Sequence, residues 1–199
     1  SFGGVLGGVF SALIAPQIDP KAVPSAPGSR RAAVSGIGSE VGSLETEDCL
    51  NVTVYTPGID SARRPVMVWL HGGGYFAGSG SNPMYEGSSL AVHGDVVVVN
   101  VNHRLNVLGY AHMPDSGEQF LSSGNVGILD IELALHWVKD NIERFGGDPK
   151  RVLVFGQSGG GGKVCTLWSM PSAGGLFDRA AIQSGATRRL RSVEDGVGA

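Results

Sequence analysis

Gly156-Gln157-Ser158-Gly159-Gly160 is a G-x-S-x-G segment, a spacing that can raise a serine hydroxyl on the tip of a tight turn. It follows the apolar, β-branched run Arg151-Val-Leu-Val-Phe155 and opens a helical stretch through Val164, Leu167 and Trp168. A strand-to-helix turn of this kind strains the serine backbone and exposes its Oγ for nucleophilic attack on a carbonyl. The turn is too tight for bulky neighbours two positions before and after the serine, and Gly156 and Gly160 occupy both. The helix N-terminus behind Ser158 places positive dipole where an oxyanion would form. With 32 glycines in 199 residues the bare motif carries little weight. Its position between strand and helix gives it meaning.

A second glycine cluster, His71-Gly72-Gly73-Gly74-Tyr75, ends another apolar run. Consecutive glycines let backbone N–H groups approach a ligand without side-chain interference. Acyl transfer needs such donors for its tetrahedral intermediate, and HGGG-type loops supply them together with the N–H after the serine. Gly159 to Lys163 also has the look of a phosphate-binding loop. The Walker pattern ending at Lys163 requires Gly at 157 and Ser or Thr at 164, where the chain has Gln157 and Val164. The loop thus lacks the hydroxyl that would hold Mg²⁺. His71, His93, His103, His112 and His136 form no H-E-x-x-H, so zinc hydrolysis is not supported.

These residues need a scaffold, and the hydrophobic pattern supplies one. Asn51–Tyr55 alternates apolar and polar as a half-buried strand does. Pro65–His71, Val96–Val101 and Arg151–Phe155 read as buried strands, with Ala180–Ile182 as a candidate fourth. Ile128, Ile131, Leu135, Val138, Ile142 and Phe145 step by three or four and form one helical stripe. Asp130, Glu132, Lys139, Asp140 and Glu143 fall largely off that stripe, toward water; Gly146-Gly147 and Pro149 supply the stop. Strand, helix and strand in this order make a βαβ unit, so the class is α/β with a mostly parallel sheet and flanking helices.

Composition narrows the function. A net charge of −3 and pI of about 5.9 offer nothing to a nucleic acid. No apolar run approaches the ~20 residues of a membrane span. Two distant cysteines, Cys49 and Cys165, exclude a disulfide-stapled miniprotein and a cysteine-rich zinc site. Ser1–Ala15 is Gly-rich and lacks the basic stretch of a signal peptide, so localisation stays open. Residues 1–44 carry four spaced prolines and no periodicity, and are expected to be irregular, a truncated or non-homologous start.

From Glu45 the motifs form a recognisable set. Glu47-Asp48-Cys49-Leu50-Asn51-Val-Thr-Val-Tyr55, His71–Tyr75, Asn102-His-Arg-Leu105 with Leu108-Gly109-Tyr110, and Gly124-Asn125-Val-Gly127 with Asp130 resemble the type-B carboxylesterase family. So do Asn141-Ile142, Phe145–Pro149, Phe155–Gly160, Phe177–Ala180 and Gln183-Ser-Gly185. The family includes cholinesterases, bacterial carboxylesterases and some lipases. The resemblance implies an α/β-hydrolase fold over residues 45–199 and ester hydrolysis (EC 3.1.1.-) through a serine acyl-enzyme. It implies Ser158 as nucleophile, Gly73, Gly74 and Gly159 as oxyanion-hole donors, and Arg104 with Asp130 as a structural ion pair. The substrate would be a small carboxylic ester, with no metal and no organic cofactor.

Several features depart from the family pattern. The early family segment is missing from residues 1–44. Cys49 resembles a cysteine that pairs upstream in cholinesterases, but no cysteine precedes it here. Gln157 stands where cholinesterases carry an acid, which weakens a case for cationic choline esters. In this fold the triad runs Ser, then Asp or Glu, then His. All five histidines precede Ser158, and the acids after it are Asp178, Glu194 and Asp195. The expectation is therefore the N-terminal part of a longer enzyme, inactive alone, its acid and base lying outside these residues. The rival reading is a catalytically silent cholinesterase-like adhesion domain, and the intact serine with its glycine frame argues against it.

Overall fold

The computed structural model describes residues 8–13 and 48–186. Six strands form one sheet: β1 (Gly8–Leu13), β2 (Asn51–Thr56), β3 (Arg64–Leu70), β4 (Val97–Val101), β5 (Gly147–Gln157) and β6 (Arg179–Gln183), in the spatial order β1-β2-β4-β3-β5-β6. β1, β2 and β4 pair antiparallel, whereas β4, β3, β5 and β6 are parallel. Four helices connect them: α1 (Ser88–Gly94), α2 (Asn106–Tyr110), α3 (Val126–Asn141) and α4 (Gly159–Ser169).

Alternation along the strands divides the faces. Val66, Val68 and Leu70 of β3, Val97, Val99 and Val101 of β4, and Val152 and Val154 of β5 pack against Ile131, Leu135 and Val138 of α3 and Val164 and Leu167 of α4. On the other face Tyr55 and Val98 pack on Ala91 of α1. The apolar runs are long because both faces are covered, as parallel sheets require.

The expected helical stripe is present, but α3 ends at Asn141, and Ile142–Phe145 continue as a tighter 3₁₀ turn. Gly146, at φ +78°, closes it by donating its N–H to Glu143 and Ile142 carbonyls. Asp130 corrects the periodicity reading: it is buried, not turned to water. Gly127, one turn earlier, lies against the Arg104 carbonyl and Tyr110, so α2 covers that side of α3.

The expectation of an irregular start also changes. Gly8–Leu13 is a strand, in register with β2 from Gly8 opposite Thr56 to Leu13 opposite Asn51. Without it β2 would present an open edge. Val9, Phe10 and Leu13 suit a strand, but six residues between a Gly-Gly pair and Pro16 give too short a pattern to register as one. The rest of the expected irregular segment, 1–7 and 14–44, and the acids Glu194 and Asp195 lie outside the described residues.

The connections fix where a site can form. From β3 the chain crosses to β4 on one side; from β5 it crosses to β6 on the other. Neighbouring β3 and β5 therefore flank a topological switch point, and the crevice beyond their C-terminal ends is where such sheets bind ligands.

Candidate active site

β5 ends at Gln157 and α4 begins at Gly159, leaving Ser158 alone at the turn. Its backbone has φ +56° and ψ −119°, a region that non-glycine residues rarely adopt. The strain is held by hydrogen bonds on both sides: Ser158 N–H donates to the Gln183 carbonyl at 2.9 Å, and Gly162 N–H donates to the Ser158 carbonyl at 3.1 Å. The serine itself is exposed. A Cβ on Gly156 would stand 2.6 Å from the Gly160 carbonyl carbon, and one on Gly160 would overlap the Leu70 carbonyl. The two flanking glycines are thus required by packing.

β3 delivers its glycines to the same place. A Cβ on Gly72 would lie 3.6 Å from Ser158 Cβ, and one on Gly159 would lie 2.6 Å from the nitrogen of Gly74. Gly73 and Gly74 have φ of +89° and +65°. Among the described residues, the N–H groups of Gly73, Gly74 and Gly159 have no hydrogen-bond acceptor. The loop carrying Gly73 and Gly74 thus packs on the turn that exposes Ser158.

Arg104 and Asp130 meet elsewhere, between the chain leaving β4 and helix α3. Arg104 Nε donates to Asp130 Oδ2 at 2.8 Å and Arg104 Nη2 to Oδ1 at 2.5 Å, with the Arg104 backbone N–H adding a third bond. A bidentate, buried pair of this kind fixes loop to helix. Asp178 is engaged elsewhere; its carboxylate accepts the N–H of Val152, at the middle of β5 and six residues before Ser158. Cys49 and Cys165 are free thiols, and burial pushes the Cys49 thiol up.

No histidine ring bonds to Ser158 among the described residues. His71 is 1% exposed and donates through Nδ1 to the Gly72 carbonyl at 2.8 Å. It stacks on His103, with centroids 5.0 Å apart, and His103 donates to the Arg104 carbonyl. Burial, reinforced by the charge of Lys163, lowers the His71 pKa to about 4 and holds His103 well below the usual range. Both Nε2 atoms lack partners among the described residues.

Lys163 was visible in the sequence only as the end of a false phosphate loop. It is the largest fully buried side chain, and Nζ donates to the His71 carbonyl at 3.2 Å. Burial brings its pKa down to about 7. One signal was available: it lies on the inward stripe of α4 with Gly160, Val164 and Leu167. Among the described residues no group of histidines, cysteines and acids could hold a metal, and no helix is long and apolar enough to cross a membrane.

A strained serine at a strand-to-helix elbow, set at the switch point of a mostly parallel sheet, defines the α/β-hydrolase class. A model of the carboxylesterase family matches residues 15–194, beginning well ahead of the motif-bearing region. The chain belongs to that family. It is 48% identical over 146 residues to a para-nitrobenzyl esterase of Bacillus subtilis, covering 73% of this chain and 29% of the relative. To a liver carboxylesterase of Sus scrofa it is 47% identical over 159 residues, covering 78% and 27% respectively. The solved carboxylesterase EST55 of Geobacillus stearothermophilus, at pH 6.8, aligns with a TM-score of 0.67 and 51% identity, over 68% of this chain and 29% of that one. The chain thus spans under a third of the length of each of these proteins.

Proposed function

We propose that the protein is a carboxylic ester hydrolase in which Ser158 is the nucleophile. Ser158 Oγ attacks the ester carbonyl carbon and gives its proton to a general base. The carbonyl oxygen becomes an oxyanion held by the N–H groups of Gly73, Gly74 and Gly159. Collapse expels the alcohol, which takes the proton back, and leaves an acyl-serine. Water then attacks the acyl carbon and passes a proton to the base; collapse of the second tetrahedral intermediate releases the acid, and the base returns the proton to Ser158 Oγ. The observation that carries this reading is the exposed, strained Ser158 beside the two packed glycine loops, whose Gly73, Gly74 and Gly159 N–H groups have no acceptor among the described residues. The family relationship supports the ester as substrate.

The base is proposed to come from residues other than these 199, because every histidine precedes Ser158 and His71 and His103 are sealed in the interior. Arg104 and Asp130 are assigned to the scaffold. The test is hydrolysis of p-nitrophenyl acetate by the full-length gene product and its Ser158→Ala variant. The reading expects the variant to lose at least ~10³-fold in kcat. The 199-residue chain alone is expected to turn over no faster than its own Ser158→Ala form. Turnover by the full-length protein that survives Ser158→Ala would end the assignment.

A further inference from the structure

Lys163 has no duty in the mechanism above, yet among the described residues it is the bulkiest fully buried side chain. No carboxylate is among its partners in the described residues; its neighbours are the His71 carbonyl at 3.2 Å and the Tyr75 ring, whose centroid is 5.4 Å away. Burying an amine without an acid is costly, and an apolar side chain of equal length would fill the space without that cost. What the amine does make among the described residues is a single hydrogen bond, to the last residue before the glycine loop.

That bond joins the two halves of the site. Lys163 lies on the first turns of α4, the helix that starts directly after Ser158. His71 follows the last residue of β3 and precedes Gly72, Gly73 and Gly74. The His71 ring donates to the Gly72 carbonyl, so the peptides leading into the loop are held from the ring side and from the lysine side. Glycines at positive φ have little intrinsic preference for one arrangement, and their N–H directions must be set by such anchors.

We infer that Lys163 is a positioning residue: by holding the His71 carbonyl it sets the aim of the Gly73 and Gly74 N–H groups relative to Ser158. The inference rests on the catalytic reading of Ser158. An oxyanion donor acts through geometry that matters more in the transition state than in the bound ester. Loosening the loop therefore lowers kcat and leaves substrate binding largely alone.

The experiment uses the full-length gene product with p-nitrophenyl acetate, and a trifluoromethyl ketone as transition-state analogue. Both acylation and deacylation pass through an oxyanion, so kcat reports the loop whichever step is slower. For Lys163→Met the expected result is a ~10-fold or greater fall in kcat, KM within about twofold, and analogue affinity weakened in step with kcat. The melting temperature is expected unchanged or higher, since a buried amine is removed. Lys163→Gln, which keeps an N–H donor, is expected to recover a large part of the loss. Unchanged kcat in Lys163→Met overturns the inference, as does failure of that variant to fold, or a fall in melting temperature with KM and kcat shifting together. Ser158→Ala in the same assay separates the two claims. If it remains active, the catalytic reading and this inference both fall; if it is inactive while Lys163→Met is normal, the inference alone falls.

Discussion

Gly159 lies against Gly74: a Cβ added to Gly159 would stand 2.6 Å from the Gly74 nitrogen and 2.6 Å from its Cα. Eighty-five positions separate these residues in the chain, and parallel pairing of β3 with β5 brings them together. Leu70 pairs with Gly156 at the end of that ladder, so both glycine loops leave the sheet at the same level. The meeting of the two glycine loops is therefore a consequence of strand register.

The same register predicts which glycines tolerate a methyl group. A Cβ on Gly160 would overlap the Leu70 carbonyl and lie 2.9 Å from the His71 carbonyl, both rigid backbone. Gly160→Ala is expected to cost at least about 2 kcal/mol and to disturb the elbow. Gly94, the last residue of α1, meets nothing closer than a Val96 methyl at 3.4 Å. Gly94→Ala is expected to be neutral or stabilising by up to about 1 kcal/mol. Urea midpoints of the two variants check the contrast.

Arg104 and Asp130 form a buried pair whose side chains are 13% and 1% exposed. Replacing one partner leaves the other charge without compensation. Asp130→Asn is expected to destabilise by roughly 3–5 kcal/mol, the cost typical of breaking such a pair. Because the pair stands apart from Ser158, full-length protein that remains folded at low temperature should keep its KM. Denaturant unfolding together with steady-state kinetics tests both halves.

The buried bases predict an acid-labile fold. The unfolded chain takes up a proton on His71 as pH falls below about 6.5, while the folded protein, with burial as the main cause, refuses it until about 4. Protons then favour the unfolded state, so stability falls as pH drops through this window. His103 acts in the same direction. Lys163 works at the alkaline end: between about 7 and 10.5 the unfolded chain holds a proton that the folded protein has released. Stability from this group should therefore rise with pH across that window. Melting temperature should decline from pH 6.5 to 5, above most carboxylate titrations, and Lys163→Met should flatten the alkaline rise.

The elbow was legible because its parts are local: two glycines around a serine, a β-branched run before it and a helical stripe after it. The parallel strands were legible as unbroken apolar runs; their boundaries shift by one residue except in β5, which begins four residues before the expected Arg151 and ends two after Phe155. β1 was hidden because six residues starting at a Gly-Gly pair and lying just ahead of Pro16 carry too little alternation, and its pairing with β2 is a long-range event. Asp130 shows the limit of periodicity. Angle on α3 assigns it to solvent, but α2 covers that side and Arg104 supplies the charge that makes burial tolerable. Lys163 shows the opposite case: in the sequence it only ends a glycine run that imitates a phosphate loop, and lysines are seldom fully buried, yet the tertiary fold closes over it.

The central claim is that Ser158 is the nucleophile that becomes acylated. The most direct measurement is intact-protein and peptide mass spectrometry of the full-length gene product after exposure to a fluorophosphonate ester. The phosphonyl group bonds to an activated serine with loss of fluoride and imitates the tetrahedral intermediate. The account predicts a single stoichiometric adduct on the peptide containing Ser158, no adduct in Ser158→Ala, and loss of ester hydrolysis in proportion to labelling. Stoichiometric labelling of a different residue, or full hydrolysis by protein already modified at Ser158, would contradict it.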